Sequence, residues 1–251
     1  MQVGMYTGAA SMAAYEKWQE AISQNISEGS LPGFKKTEVS FSAMDGGSSA
    51  VGTDAGDPDR INSTMPSASP SISFAQGQLS HSENDLDFAI QGDGFFQVQQ
   101  PNGQMAYTRD GQFHLSPDKT LVNSAGMPVQ GDSGPITFKS GSGTISINAG
   151  GMVMQNDQPI AKMAAYNFTD PTQLRRIGDS LLAPNDPSQP AKKIDHPQIL
   201  NNYLESSNVA PMREMVSLVS VSRAYEASQK VVQTADDNEG QAIQILGNVS
   251  S

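Results

Sequence analysis

The amino-acid sequence predicts an α+β protein in which a helix at each end pairs with the other in a coiled-coil-like layer, with an antiparallel β domain inserted between them. Three observations carry this reading. Apolar residues recur at helical steps near both termini, hydrophobicity alternates with period two in the middle, and a Ser/Gly/Pro-rich stretch separates the first helix from the strands. The expected boundaries are 1–35 with 205–251 for the helical part, 36–73 for an extended or mobile arm, and 74–204 for the β domain.

The first helix runs from Val3 to about Glu28, a stretch without proline. Ala10, Ala14, Trp18 and Ile22 follow one another at four-residue steps, with Ala21, Asn25 and Ile26 on neighbouring positions. Gly29 is placed to cap the helix and Pro32 to stop it. From Ser42 to Ser73, fifteen of thirty-two residues are Ser, Gly or Pro, and neither period survives. This predicts the arm.

Beyond Phe74, Leu86, Phe88 and Ile90 alternate with Asp85, Asp87, Ala89 and Gln91, which predicts a strand with both carboxylates on its solvated face. Gly92-Asp93-Gly94 reads as a turn. Asn102-Gly103, Asp110-Gly111 and Ser116-Pro117-Asp118 supply further turn chemistry between short strands, giving a meander or small sandwich. The last element is the clearest: no proline follows Pro211, Asn208 is the expected N-cap, and Met212, Met215, Val216 and Val219 begin a stripe continued by Ala224, Tyr225, Ser228, Val231, Val232 and Ala235 and resumed at Ala242, Ile243 and Leu246. Such a helix would be on the order of 58 Å long, more than one small domain covers, so it calls for a partner helix.

Composition narrows the function. The 251 residues carry a formal net charge of −11, which disfavours nucleic acid as a partner, and no apolar run is long enough for a membrane span. Cysteine is absent, and His81, His114 and His196 lie too far apart for a metal-binding pair. No metal, cofactor or catalytic residue is implied, and no enzyme activity is expected. The N-terminus lacks the cationic and apolar regions of a cleavable signal peptide.

Met5-Tyr6-Thr7 with Ala9-Ala10, then Asn25-Ile26 and Leu31-Pro32-Gly33-Phe34-Lys35, resemble the N-terminal signature of the bacterial flagellar rod and hook proteins, where Asn-Leu-Ala-Asn precedes Thr-Pro-Gly-Phe-Lys. Ser27 and Glu28 stand where that family has Ala-Asn, and Leu31 replaces Thr. Asp85-Leu86-Asp87-Phe88-Ala89-Ile90 with Gly92-Asp93-Gly94-Phe95-Phe96, and Tyr107-Thr108-Arg109-Asp110-Gly111, look like its central block. Glu205-Ser206-Ser207-Asn208-Val209 and Arg223-Ala224-Tyr225-Glu226 resemble its terminal helix. The resemblance implies a structural subunit of the basal-body rod, exported by the flagellar type III apparatus without a cleaved signal, whose terminal helices line an axial tube with copies of itself and other rod or hook subunits. The length suits a rod subunit better than a hook subunit, and a proximal-rod subunit before a distal one.

The residues expected to pack between subunits are Ala10, Ala14, Trp18, Ile22 and Asn25 in the first helix, and Val216, Val219, Ala224, Tyr225, Val231, Val232 and Ile243 in the last. The rival from another class is an extracellular β-rich adhesin or glycan-binding module, which needs an exposed aromatic patch made from Phe95, Phe96, Tyr107 or Phe113. A peptidoglycan hydrolase using Asp85 and Asp87 comes third.

Overall fold

A computed structural model describes residues 2–49, 61–139, 145–148, 150–178, 180–186 and 189–248. Contacts divide the chain into two units, one of Met1–Ile26, Thr37–Ser71 and Ala210–Ser251, the other of Ser27–Lys36 and Ile72–Val209. The protein is α+β, with two long helices and several antiparallel sheets.

The first unit holds most of helix α1 (Gln2–Glu28), strands β1 (Thr37–Ser49) and β2 (Ile61–Ile72), and helix α2 (Pro211–Asn248). At about 1.5 Å per residue the 38 residues of α2 extend roughly 57 Å. Pro211 occupies its first turn, where a missing N–H leaves no bond unmade. The N–H groups of Arg213 and Glu214 donate to the Ala210 carbonyl at 2.9 and 3.1 Å, so Asn208 is not the cap that the sequence suggested.

Where the sequence showed no period, β1 and β2 pair as a two-stranded ribbon. Ser73 N donates to the Lys36 carbonyl at 2.9 Å and Ser40 Oγ to the Ser69 carbonyl at 3.3 Å, so the strands run antiparallel. A ribbon without a core behind it needs no alternating hydrophobes, so its polar composition hid it. Phe41 is the exception: its ring lies 5.3 Å from Trp18, edge to face, and 6.2 Å from Tyr15. The middle of the Ser/Gly/Pro-rich stretch, residues 50–60, lies outside the described residues.

The second unit is built on a six-stranded antiparallel sheet ordered Leu174–Gly178, Leu181–Pro184, β6 (Met105–Thr108), β5 (Phe95–Gln99), Ala165–Asn167 and Lys192–Lys193. The hairpin joining β5 and β6 turns at Asn102-Gly103, where Gly103 has φ +83° and Asn102 Oδ1 accepts from Gln104 N. Strand β4 (Phe88–Gln91) pairs with Gln198–Asn201, and β3 (Leu79–His81) pairs with Tyr203–Glu205. Phe88, Ile90, Phe96, Val98, Phe113, Leu121, Val129, Ile136, Met163 and Ile199 share the main core. Phe95, Tyr107, Phe168, Leu174 and Leu182 form a second cluster, with Phe168 4.8 Å from Tyr107 and 6.0 Å from Phe95.

Gly92-Asp93-Gly94 is a turn between β4 and β5, as its glycines suggested. Asp87 corrects the sequence reading. It is buried rather than solvated, and it accepts from Ser82 Oγ at 2.5 Å and Asn84 Nδ2 at 2.9 Å, whereas exposed Asp85 accepts from Asn202 Nδ2. Each carboxylate is committed to a different structural bond. Phe95, Phe96, Tyr107 and Phe113 are all buried, so they present no aromatic binding patch.

Asn208 instead fastens three backbone groups. Its Oδ1 accepts from Lys36 N at 2.7 Å, and its Nδ2 donates to the carbonyls of Ser73 and Ala75 at 2.9 and 3.0 Å. Asn208→Ala therefore lowers the denaturation free energy of the β unit by about 1–3 kcal/mol, read from urea melts followed by tyrosine fluorescence. A chain ending at Ala210 keeps the bonds and melts with the β unit of the intact chain.

Candidate functional site

Two features stand out: the faces of the terminal helices, and a buried ionic cluster in the β unit. On the helices, contacts between α1 and α2 run in opposite directions. Asn25 Nδ2 donates to Glu214 Oε2 at 3.2 Å, Tyr225 OH donates to Glu16 Oε1 at 3.2 Å, and a Cβ on Gly8 would stand 2.6 Å from Val232 Cγ2. Gly8 thus permits a close approach that alanine would obstruct. Among the covered positions of α2, Glu214, Leu218, Val221, Tyr225, Ser228, Val232 and Ala235 follow one another at alternating steps of four and three, with half-buried Ser217, Ser222 and Ala224 beside them.

The broad stripe read from the sequence therefore splits. Ala224, Tyr225 and Val232 fall on or beside the covered face, whereas Val216, Val219 and Val231 are 67%, 53% and 55% exposed. Met212 and Met215 share that exposure, at 75% and 48%. Met212, Met215, Val216 and Val219 stand at i, i+3, i+4 and i+7, one apolar patch over two turns. Among the described residues of α2 the most deeply covered apolar one is Val221, which the sequence prediction does not include. In α1, Ala14, Ile22 and Asn25 are buried and Ala10 and Trp18 half-buried. Asn25 serves inside the chain: besides Glu214, it exchanges two 2.8 Å bonds with the Thr37 backbone. The Ile243 side chain lies outside the described residues.

The ionic cluster centres on Glu205, only 1% exposed. Its Oε1 accepts from Lys35 Nζ at 2.5 Å and Gly77 N at 2.9 Å, and its Oε2 accepts from Arg109 Nη1 at 3.1 Å. Lys35 also donates to the Ala75 carbonyl, and Arg109 to the carbonyls of Ile90 and Gly92. Burial pulls both cations below their ordinary pKa values, opposed by the Glu205 charge. The cluster joins the three sequence blocks of the resemblance: Lys35 from the first, Arg109 from the second, Glu205 from the third. Nothing in the sequence marks these motif residues as a cluster, because a buried charge and an exposed one look alike there.

The turn after α1 is fitted to the same place. Gly33, at φ +66°, is the left-handed residue of the turn, and its N–H donates to the Glu205 carbonyl at 2.7 Å. A Cβ there would lie 2.2 Å from the Arg109 carbonyl carbon, so glycine is required twice over. Arg176 covers the Phe34 ring at 4.1 Å, pairs with Glu28 at 3.2 Å and donates to the Lys35 carbonyl.

With this geometry in place, the chain can be set beside known proteins. Residues 89–155 match the family model described as the flagellar hook protein FlgE/F/G D1 domain, and residues 200–245 match that described as flagellar basal body rod FlgEFG protein C-terminal. The flagellar basal-body rod protein FlgF of Mesorhizobium japonicum is 31% identical over 251 residues, the whole of both chains. The chain belongs to the flagellar basal-body rod protein family. FlgF of Rhizobium meliloti is 30% identical, covering 98% of this chain and 99% of its own. FlgG of Buchnera aphidicola subsp. Acyrthosiphon pisum is 31% identical over 86% of this chain and 88% of its own. The protein is a structural rod subunit of the flagellar basal body, similar to FlgF, and its family assembles with other rod or hook subunits. Among the described residues no helix is long and apolar enough to cross a membrane.

Two charge substitutions should move stability oppositely. Glu205→Gln leaves two buried cations without their counter-ion and lowers unfolding free energy by about 3–5 kcal/mol at pH 7. Burial pushes the Asp110 carboxyl up to about 6, opposed by the Gln112 N–H it accepts from and reinforced by Asp87. The folded chain therefore holds that proton more tightly than the unfolded one, and its contribution to stability falls as pH rises from about 4 to 6. Asp110→Asn should add on the order of 1–2 kcal/mol at pH 7 and nothing at pH 3.5, as measured by urea melts.

Proposed function

We propose that this subunit polymerises through heterologous, non-closing contacts into a helical axial tube. The terminal segments 1–35 and 205–251 supply the contacts that build it. In this reading α1 and α2 are an antiparallel coiled-coil-like pair. The four- and three-residue steps that run through the covered α2 positions support it, as does the series Gly8, Ser11, Tyr15, Trp18, Ile22 and Asn25 on α1, which buried Ala14 and Ala21 flank.

The observation that carries the polymer reading is the apolar patch of Met212, Met215, Val216 and Val219, left uncovered on the side of α2 away from α1. An isolated subunit leaves this surface in water, and a neighbour that covers it gains roughly 1 kcal/mol per side chain. Ala14, Ile22 and Asn25 are already buried inside the chain, so the neighbour meets Val216 and Val219 rather than these. The partners are copies of the chain and other rod or hook subunits. Export through the flagellar type III apparatus without a cleaved signal, to a periplasmic rod, belongs to the same reading.

The test is the double variant Val216→Asp/Val219→Asp expressed in cells lacking the native chain. The monomer keeps its circular dichroism and melting temperature, while swarming stops and the chain disappears from purified basal bodies. Val221→Asp, on the covered face, instead unfolds the helical unit. Normal motility of the double variant would refute the patch as an assembly surface.

A further inference from the structure

The chain holds twelve methionines and no cysteine, so the thioether is its one kind of oxidisable sulfur. These side chains are not equally sheltered. Met163 is 0% exposed in the main core, whereas Met212 and Met215 are 75% and 48% exposed. Of the other methionine side chains described, only Met105, at 39%, is exposed as well. Met105 stands on β6 in the β unit, while Met212 and Met215 share one face of α2 with Val216 and Val219. The two sulfurs that solvent reaches best therefore lie in the patch assigned above to assembly.

Sulfur is what sets these two positions apart from their neighbours on the patch. Leucine would present a similar apolar area on the same helix face, but a thioether also takes up oxygen. With hydrogen peroxide, a sulfur lone pair attacks one peroxide oxygen, the O–O bond breaks and an S–O bond forms. The sulfur gives up an electron pair, and the peroxide is reduced to water. The product is a polar, chiral sulfoxide that accepts hydrogen bonds. The Val216 and Val219 side chains beside it offer no donor, so a neighbour covering the oxidised patch would strand the S–O oxygen away from water. Neither methionine belongs to a core cluster, so the monomer keeps its fold when both are oxidised.

We propose that Met212 and Met215 form a paired oxidation site through which peroxide withdraws the unassembled subunit from rod assembly. A neighbour seated on the patch shields both sulfurs, so subunits already in place do not respond. The effect on assembly rests on the polymer reading above; the order in which the sulfurs oxidise does not.

The experiment has two arms. In the first, the full-length monomer is treated with dilute hydrogen peroxide, and oxygen uptake at each methionine is followed by peptide mass spectrometry. Met212 and then Met215 should oxidise at least about tenfold faster than Met163, with the circular dichroism unchanged. Equal rates at the three positions, or loss of helix, overturn the site. In the second, cells lacking the native chain carry either the wild type or Met212→Leu/Met215→Leu and receive a peroxide pulse while flagella grow. The chain is then quantified in purified basal bodies. Peroxide should lower wild-type incorporation about tenfold and leave that of the leucine variant unchanged, while Met212→Gln/Met215→Gln, polar without any oxidant, should incorporate about tenfold less in untreated cells. Equal sensitivity of the wild type and the leucine variant, or normal incorporation of the glutamine variant, overturns the proposal. If Val216→Asp/Val219→Asp is nevertheless excluded from basal bodies, the patch still stands as the assembly surface and only the oxidation site falls. If that variant incorporates too, the patch reading falls with it.

Discussion

The interaction on which the β unit depends is the burial of one carboxylate between two cations. Glu205 sits on the strand that pairs with β3, Lys35 on the turn beyond α1, and Arg109 directly after β6. Removing three charges from water costs several kcal/mol per ion, which only good geometry and supplementary hydrogen bonds offset. Most of those bonds are present: Gly77 N and the carbonyls of Ala75, Ile90 and Gly92 add to the ion pairs, and the buried Arg109 Nε alone of the cluster's donors goes without a partner among the described residues. Well-packed hydrophobic residues of similar volume commonly match a buried ion pair in stability, but they would not fix which segment meets which. The cluster makes the 33–36 and 205–208 segments neighbours at a defined register, an arrangement that Asn208 and Gly33 repeat with neutral bonds.

The helices divide their surfaces between internal and external use. One face of α2 meets α1 through Glu214, Tyr225 and Val232, and small Gly8 lets the two backbones come close. The opposite side, over its first turns, is apolar and bare. The chain's surplus of acidic charge opposes aggregation through such a patch, and in the proposed polymer a neighbour covers it. The division follows from helix geometry: residues at i and i+7 share a face, while residues five apart stand far round the helix from one another.

Much of this was legible in the sequence. The two helices were visible because proline is absent from both and their apolar spacing is helical, and the β5–β6 hairpin because Asn102-Gly103 marks its turn. The width of the α2 stripe misled: apolar residues occupy most of its circumference near Val216, so only contact with α1 reveals which of them are covered. Asp87 misled for another reason. Strand alternation places it on the outer face, but Ser82 and Asn84 fold over its carboxylate and enclose it. The ribbon left no periodic trace because only isolated residues such as Phe41 and Ala68 are backed by apolar groups, and Glu205 left none because burial of a charge depends on partners 96 and 170 residues away.

The most direct measurement of the central interaction is residue-resolved amide hydrogen exchange of Gly77 and Gly33, whose N–H groups donate to Glu205 itself. If the ionic cluster holds the β unit together, both amides exchange only through global unfolding, with the same free energy as Phe96 and Val98 in the central strand. Exchange of these two glycines by local opening, several kcal/mol easier than that of the strand, would mean that the cluster decorates a fold held by other forces.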